Sequence, residues 1–289
     1  MRIVVTGGSG KLGRAVVADL LDHGHEVWNV DLAPPREERP GSRFTRVDLT
    51  DFGQVYELVR GIDEGWTTTD GIVHLAAIPG PAQVPNAALF ANNVTGTYNV
   101  FAAARHAGIR NVVWASSETV LGLPFAVPPP YVPLDETAPP RPETSYSLAK
   151  ALDEEMARHF CRWDPGLKMI GLRFSNVMEP ADYARFPAFD ADPLERKWNL
   201  WGYIDARDGA QAVRRALELD ATGLEVFIIA NADTVMSRAS ADLMAEVFPG
   251  VEIRRPLGEH ETLLAIDKAR RVLGYEPAYS WRDHVAQTG

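Results

Sequence analysis

The sequence predicts an α/β fold: a doubly wound parallel sheet with a smaller C-terminal lobe. Three observations predict it. Short apolar runs alternate with helix-period segments along the chain, and several of those runs are apolar throughout, as strands covered on both faces are. Glycines also cluster where the first run passes into the first helical segment. Such alternation winds helices onto both sides of one sheet. The expected strands are 2–5, 26–30, 43–47, 71–76, 111–116, 168–174 and 225–230. The expected helices are 11–22, 52–60, 86–107, 145–163 and 205–218, with Gly24 and Gly108 placed as left-handed C-terminal caps.

The run Thr6-Gly7-Gly8-Ser9-Gly10-Lys11-Leu12-Gly13 joins the first strand to the first helix. Glycines there let the backbone turn tightly against a pyrophosphate, and the helix's unpaired N–H groups attract its charge. The second strand ends in Asp31, eighteen residues after Gly13, where a carboxylate accepts both hydroxyls of an adenosine ribose. Strand, turn, helix and acid in this order predict a Rossmann-type dinucleotide site, with Gly7, Gly10, Lys11, Leu12 and Gly13 at the phosphates. Asp31 repels a ribose 2′-phosphate, which favours NAD over NADP, although Arg36 and Arg39 soften that preference.

Bulk properties agree with a soluble enzyme. Across 289 residues the formal charge is −10, which argues against unspecific binding to nucleic acid or anionic membranes. Cys161 is the single cysteine, so no internal disulfide and no metal site are expected, and a reducing compartment is. No secretory leader and no apolar stretch of transmembrane length are read in the chain, so a cytoplasmic location is expected.

The stretch from Pro124 to Pro142 holds eight prolines and is expected to be a loop leaving the carboxyl edge of the sheet, where ligands of open α/β folds bind. A second irregular stretch, Met178 to Trp201, leaves the next strand. Residues 1–174, completed by about 204–231, are read as the dinucleotide-binding domain. Residues 175–203 and 232–289 form the small lobe, with helices at 238–247 and 262–273 and a strand at 251–254.

Chemistry is carried by Tyr146 and Lys150, four residues apart and so on one face of a helix. A lysine cation beside a phenol favours the phenolate and makes it a usable base. Ser117, at the end of the fifth strand, is placed to hold the same substrate oxygen.

These residues resemble the extended short-chain dehydrogenase/reductases of the NAD-dependent epimerase/dehydratase type. The matches are the glycine turn, Asp48-Leu49, His74-Leu75-Ala76-Ala77, Asn93-Val94-Thr95-Gly96-Thr97, Ser116-Ser117, Tyr146-x-x-x-Lys150, Leu172-Arg173-Phe174-Ser175-Asn176 and the closing run from Ile266 to Pro277. The resemblance implies NAD as cofactor, held by Gly7, Gly10, Lys11, Leu12, Gly13, Asp31, Asp48, Leu49, Leu75, Ala76, Ala77, Asn93, Tyr146, Lys150 and Phe174. It implies Tyr146 as proton acceptor and donor, Lys150 as the residue binding the nicotinamide ribose, and Ser117 as the orienting hydroxyl. Implied substrate contacts are Glu118, Thr119, Asn176, Trp198 and Trp201.

Departures from the family pattern narrow the reaction. One carboxylate of the Asp-Glu pair of sugar dehydratases is missing after Ser117, which disfavours dehydration. Leu200-Trp201-Gly202-Tyr203-Ile204 lacks the arginine of nucleotide-sugar epimerases, leaving Arg185, Arg196 or Lys197 as candidates to hold a diphosphate. The short lobe is similar to the compact uronate dehydrogenases, but Glu118-Thr119 replaces their Asn-His, and Glu118 repels a sugar acid. The reading is an NAD-dependent sugar oxidoreductase or epimerase, with epimerisation and net dehydrogenation both open; a non-catalytic NAD-binding regulator is the rival from another class. A homodimer through helices 86–107 and 145–163 is expected, with Ala102, Ala103, Ala104, Ala149 and Ala151 permitting close packing. His74 is expected to be satisfied by a backbone partner, and Arg173 to be a structural ion-pair residue.

Overall fold

The computed structural model describes residues 1–37, 39–61, 66 and 68–288. Its first half runs β1 (Arg2–Thr6), α1 (Lys11–Asp22), β2 (Glu26–Asp31), β3 (Ser42–Arg46), α2 (Phe52–Arg60), β4 (Gly71–His74), α3 (Asn86–Ala107) and β5 (Asn111–Ser117). Then come β6 (Tyr131–Val132), α4 (Ser145–Trp163), β7 (Lys168–Phe174), β8 (Val177–Met178), β9 (Ile204–Asp205), α5 (Ala206–Glu218) and β10 (Gly223–Ile229). The chain closes with α6 (Ser240–Val247), β11 (Glu252–Ile253), α7 (Asp267–Leu273) and α8 (Trp281–Thr288).

Seven strands form one parallel sheet in the order β10-β7-β5-β4-β1-β2-β3. The winding direction reverses between β1 and β4, and the crevice at such a switch point is where open α/β sheets take ligands. Central strands bury both faces, so Ile3, Val5, Val73 and Val113 pack towards α1 and α5, while Val4, Ile72, Val112 and Trp114 pack towards α2, α3 and α4. The apolar runs of the sequence are thus explained by helical cover on both sides.

Gly24 and Gly108 adopt φ of +77° and +76° at the ends of their helices, the conformation expected of them. Four expectations differ from the structure. β4 ends at His74, not 76, because Leu75 N–H bonds back to Thr6 and the chain leaves the sheet towards the cleft. The proline-rich stretch contains β6, which pairs with β11; Tyr131 and Val132 are the strand formers between its prolines. The helix expected at 262–273 starts at Asp267, because residues 262–266 run extended beside Leu134, with reciprocal backbone bonds at 2.8 and 2.7 Å. Residues 178–201 are a chain of 3₁₀ turns, at 180–191, 193–195 and 197–199.

The stretches 124–142, 175–203 and 232–284 interlock. β8 pairs with β9, Asn231 N–H donates to the Tyr203 carbonyl, and Val235 N–H donates to that of Trp201. One apolar cluster runs without interruption from Ile170 and Phe227 of the sheet to Trp201, Tyr203, Phe248, Leu264 and Trp281.

Candidate active site

A cleft of about 820 Å³ opens at the carboxyl edge of the sheet, over the β1/β4 switch point. Of the residues singled out from sequence it brings together Gly7, Gly10, Lys11, Leu12, Gly13, Asp31, Asp48, Leu49, Leu75, Ala76, Ala77, Ser117, Glu118, Thr119, Tyr146, Lys150, Phe174, Asn176 and Trp198. Asn93 and Trp201 lie elsewhere. The Asn93 amide accepts from Ile78 N–H and donates to the Ile78 carbonyl, so it shapes the loop after β4 from behind. Trp201 is fully buried, its indole donating to the Pro193 carbonyl, so it does not stack on a ligand in the cleft.

The glycine turn leaves no room for a side chain at Gly7 or Gly13. A Cβ on Gly13 would stand 2.1 Å from the Gly7 carbonyl oxygen, and one on Gly7, whose φ is +72°, would stand 2.6 Å from Ala76 N. Gly10 caps α1 without a side-chain bond, so the first N–H groups of the helix stay open. Asp31 accepts from Ser9 and Leu32 N–H groups, which fix its carboxylate at the cleft wall. Asp48 is held by Thr50. A bare helix end, a turn folded too tightly for a Cβ at Gly7 or Gly13, and an acid beyond it fit a dinucleotide.

At the other end of the cleft the catalytic candidates meet. Thr144 caps α4 through a reciprocal bond with Ser147, a capping box of the kind that stabilises a helix start by about 1 kcal/mol. Two residues later Tyr146 faces the cleft, its hydroxyl without a protein partner among the described residues. The Lys150 ammonium lies 6.0 Å from the Tyr146 ring centre and donates to the Ala115 carbonyl at 2.7 Å. Ser117 Oγ accepts from the Thr119 N–H and hydroxyl, which leaves its own proton to donate.

Glu118 is buried under this group. It accepts from the Ser175 hydroxyl at 2.6 Å and the Asn199 amide at 3.2 Å. Burial pushes its carboxyl up to about 7, against the pull of these donors and of Arg196. His74 is bonded by two side chains, Thr6 and Thr97, and not by the backbone as expected; burial and Lys150 push it down to about 3. Arg173 forms a buried two-bond pair with Glu154, which also accepts from Ser116. Asn176 lines the cleft and accepts from Arg196, whose guanidinium lies 4.9 Å from the Trp198 ring centre.

Sequence reasoning missed Asn199 and Arg196 as supports of this wall, since only tertiary packing brings them to Glu118 and Asn176. It also missed Asp153, whose signal was present: it stands one turn after Lys150.

The model of the NAD dependent epimerase/dehydratase family matches residues 3–230. The chain belongs to this family. Among relatives of this epimerase/dehydratase chain, the L-arabinose 1-dehydrogenase (NAD(P)(+)) of Haloferax volcanii is 30% identical over 226 residues, 75% of this chain and 82% of its own length. The UDP-glucose 4-epimerase of Lacticaseibacillus casei is 28% identical, covering 100% of this chain and 95% of its own. A solved UDP-galactose 4-epimerase superposes with a TM-score of 0.70 at 29% identity, covering 100% of this chain and 97% of its own. The family is one of NAD-dependent enzymes within the extended short-chain dehydrogenase/reductases. No helix among the described residues is long and apolar enough to cross a membrane.

Proposed function

We propose that the protein is an NAD-dependent oxidoreductase acting on a carbinol of a free, neutral sugar. The observation that carries this is the meeting of Tyr146, Lys150 and Ser117 in one cleft with the glycine turn and Asp31. Bound nicotinamide supplies the two-electron acceptor. Tyr146, as phenolate, takes the proton of the substrate hydroxyl, and the Lys150 ammonium stabilises the charge of that base. Ser117 donates to the reacting oxygen and orients it.

A neutral substrate is supported because the two cations that line the cleft, Lys11 and Lys150, are already paired with Asp182 and Asp153. A diphosphate is not catered for by the residues first considered for it. Arg185, Arg196 and Lys197 do not line the cleft; Arg185 is paired with Asp182, and Arg196 is bound to Asn176 and the Gly202 carbonyl. The arabinose dehydrogenase among the relatives is in keeping with a net oxidation of this kind. Asp31 favours NAD over NADP at the adenosine end. The lobe formed by 175–203 and 232–289 would cover the sugar.

We place the protein in the cytoplasm, where its single half-buried thiol stays reduced. A homodimer through α3 and α4 is supported by exposed Tyr98, Leu148, Leu152 and Trp163. The alanines first considered for that contact do not serve it: Ala102, Ala103, Ala104 and Ala149 are buried in the chain's own core.

The test is mass spectrometry of the protein incubated with NAD⁺ and separate pools of neutral sugars, sugar acids and nucleotide sugars. Loss of two hydrogens from a neutral sugar is expected, abolished in Tyr146→Phe while NAD⁺ binding survives. Isobaric conversion of nucleotide sugars alone, or full activity of Tyr146→Phe, would refute the reading.

A further inference from the structure

Behind Lys150 the fold buries a carboxylate that the chemistry above leaves unused. Asp153, one turn further along α4, is fully buried, and its carboxylate stands 3.5 Å from the Lys150 ammonium. Neither carboxylate oxygen has a hydrogen bond of good geometry among the described residues. A buried, ionised carboxylate without donors is costly unless an opposite charge offsets it, and Lys150 is the cation in contact.

The groups around the pair add no compensating charge. Thr97 of α3 faces Asp153, and behind Thr97 the β4 residue His74 is neutral near pH 7. Glu154, the next residue on α4, is committed to Arg173 and Ser116. Tyr146, the last residue of this cluster, opens on the cleft. Lys150 and Asp153 therefore form a pair of near-zero net charge on the cleft wall.

We propose that Asp153 is the counter-charge through which Lys150 is made compatible with a positively charged nicotinamide, so that Asp153 sets the discrimination between NAD⁺ and NADH. It is a positioning residue, and the proposal rests on the reading that Lys150 holds the nicotinamide ribose. The oxidised ring carries a positive charge and the reduced ring is neutral. An ammonium alone disfavours the oxidised form, whereas an ammonium with its carboxylate does not.

Asp153→Asn keeps the shape and removes the charge. A unit charge acting over roughly 10 Å at an effective permittivity of about 20 changes an equilibrium on the order of tenfold. The ratio of dissociation constants, NAD⁺ over NADH, is therefore expected to rise about tenfold in Asp153→Asn near pH 8. NADH fluorescence with NAD⁺ competition measures it without any substrate.

Burial raises the Asp153 carboxyl to about 6 against the pull of Lys150, so it carries its proton near pH 5. Glu118, raised to about 7 on the same cleft wall, titrates in this window too, so the pH arm uses Glu118→Gln: its ratio should rise between about pH 8 and about pH 5, while that of the Glu118→Gln, Asp153→Asn double variant stays flat. The Glu118→Gln arm leaves Asp153 intact and decides the matter even if Asp153→Asn fails to fold. A merely structural Asp153 weakens both cofactor forms alike; an unchanged ratio in Asp153→Asn, or a Glu118→Gln ratio indifferent to pH, overturns the proposal. Failure of both forms to bind overturns the cofactor reading itself, and this inference with it.

Discussion

Replacing Glu118 with glutamine should change the pH dependence of folding in a calculable way. Its carboxyl moves from 4.5 to about 7 on folding, chiefly through burial. Between those values the folded protein holds a proton that the unfolded chain has released, so stability falls as pH rises through that window. The displacement corresponds to about 3 kcal/mol, all of it present above pH 7 and none below pH 4.5. Glutamine cannot ionise and escapes this loss, but it gives up one charge-assisted contact to Ser175 or Asn199, costing about 1 kcal/mol. The variant should thus be more stable than wild type by about 2 kcal/mol near pH 8 and slightly less stable near pH 5. Urea denaturation of both proteins at several pH values measures this. Asp153 and Asp208, each raised to about 6 by burial, slope both curves equally and cancel in the difference. A difference that stays constant across the window refutes the reasoning.

Gly13→Ala drives a methyl group into the Gly7 carbonyl at 2.1 Å, so the turn must open; NAD⁺ affinity measured by calorimetry should fall by roughly tenfold or more. Arg173→Met strands the buried Glu154 carboxylate and should cost about 3–5 kcal/mol in chemical denaturation. Adding Glu154→Leu to it should restore most of that loss, because an apolar pair of similar volume needs no charge; no recovery would contradict the argument.

The sheet and the glycine-turn end of the cleft were legible because both are written locally. Continuous apolar runs specify covered strands, and the turn at Gly7–Gly13 is constrained by contacts within a few residues of itself and with Ala76. Tyr146 and Lys150 were legible through helical spacing. The wall around Glu118 was not. Glu118 meets Asn199 across eighty-one positions, and Trp201 turned inward although Trp198, three residues earlier, lines the cleft. Aromatic residues in a chain of 3₁₀ turns carry no periodicity that tells cover from core. Residues 262–266 misled for a related reason: their apolar pattern suits a helix, but the partner that draws them out straight is Leu134, far away in sequence.

The interlocking of 124–142, 175–203 and 232–284 with one continuous core has a consequence for redesign. The lobe is no cassette: cut out, it would leave Ile170, Phe227 and the neighbouring sheet residues stripped, and grafted elsewhere its Trp201 and Tyr203 would arrive without their floor. New specificity in this scaffold has to come one side chain at a time.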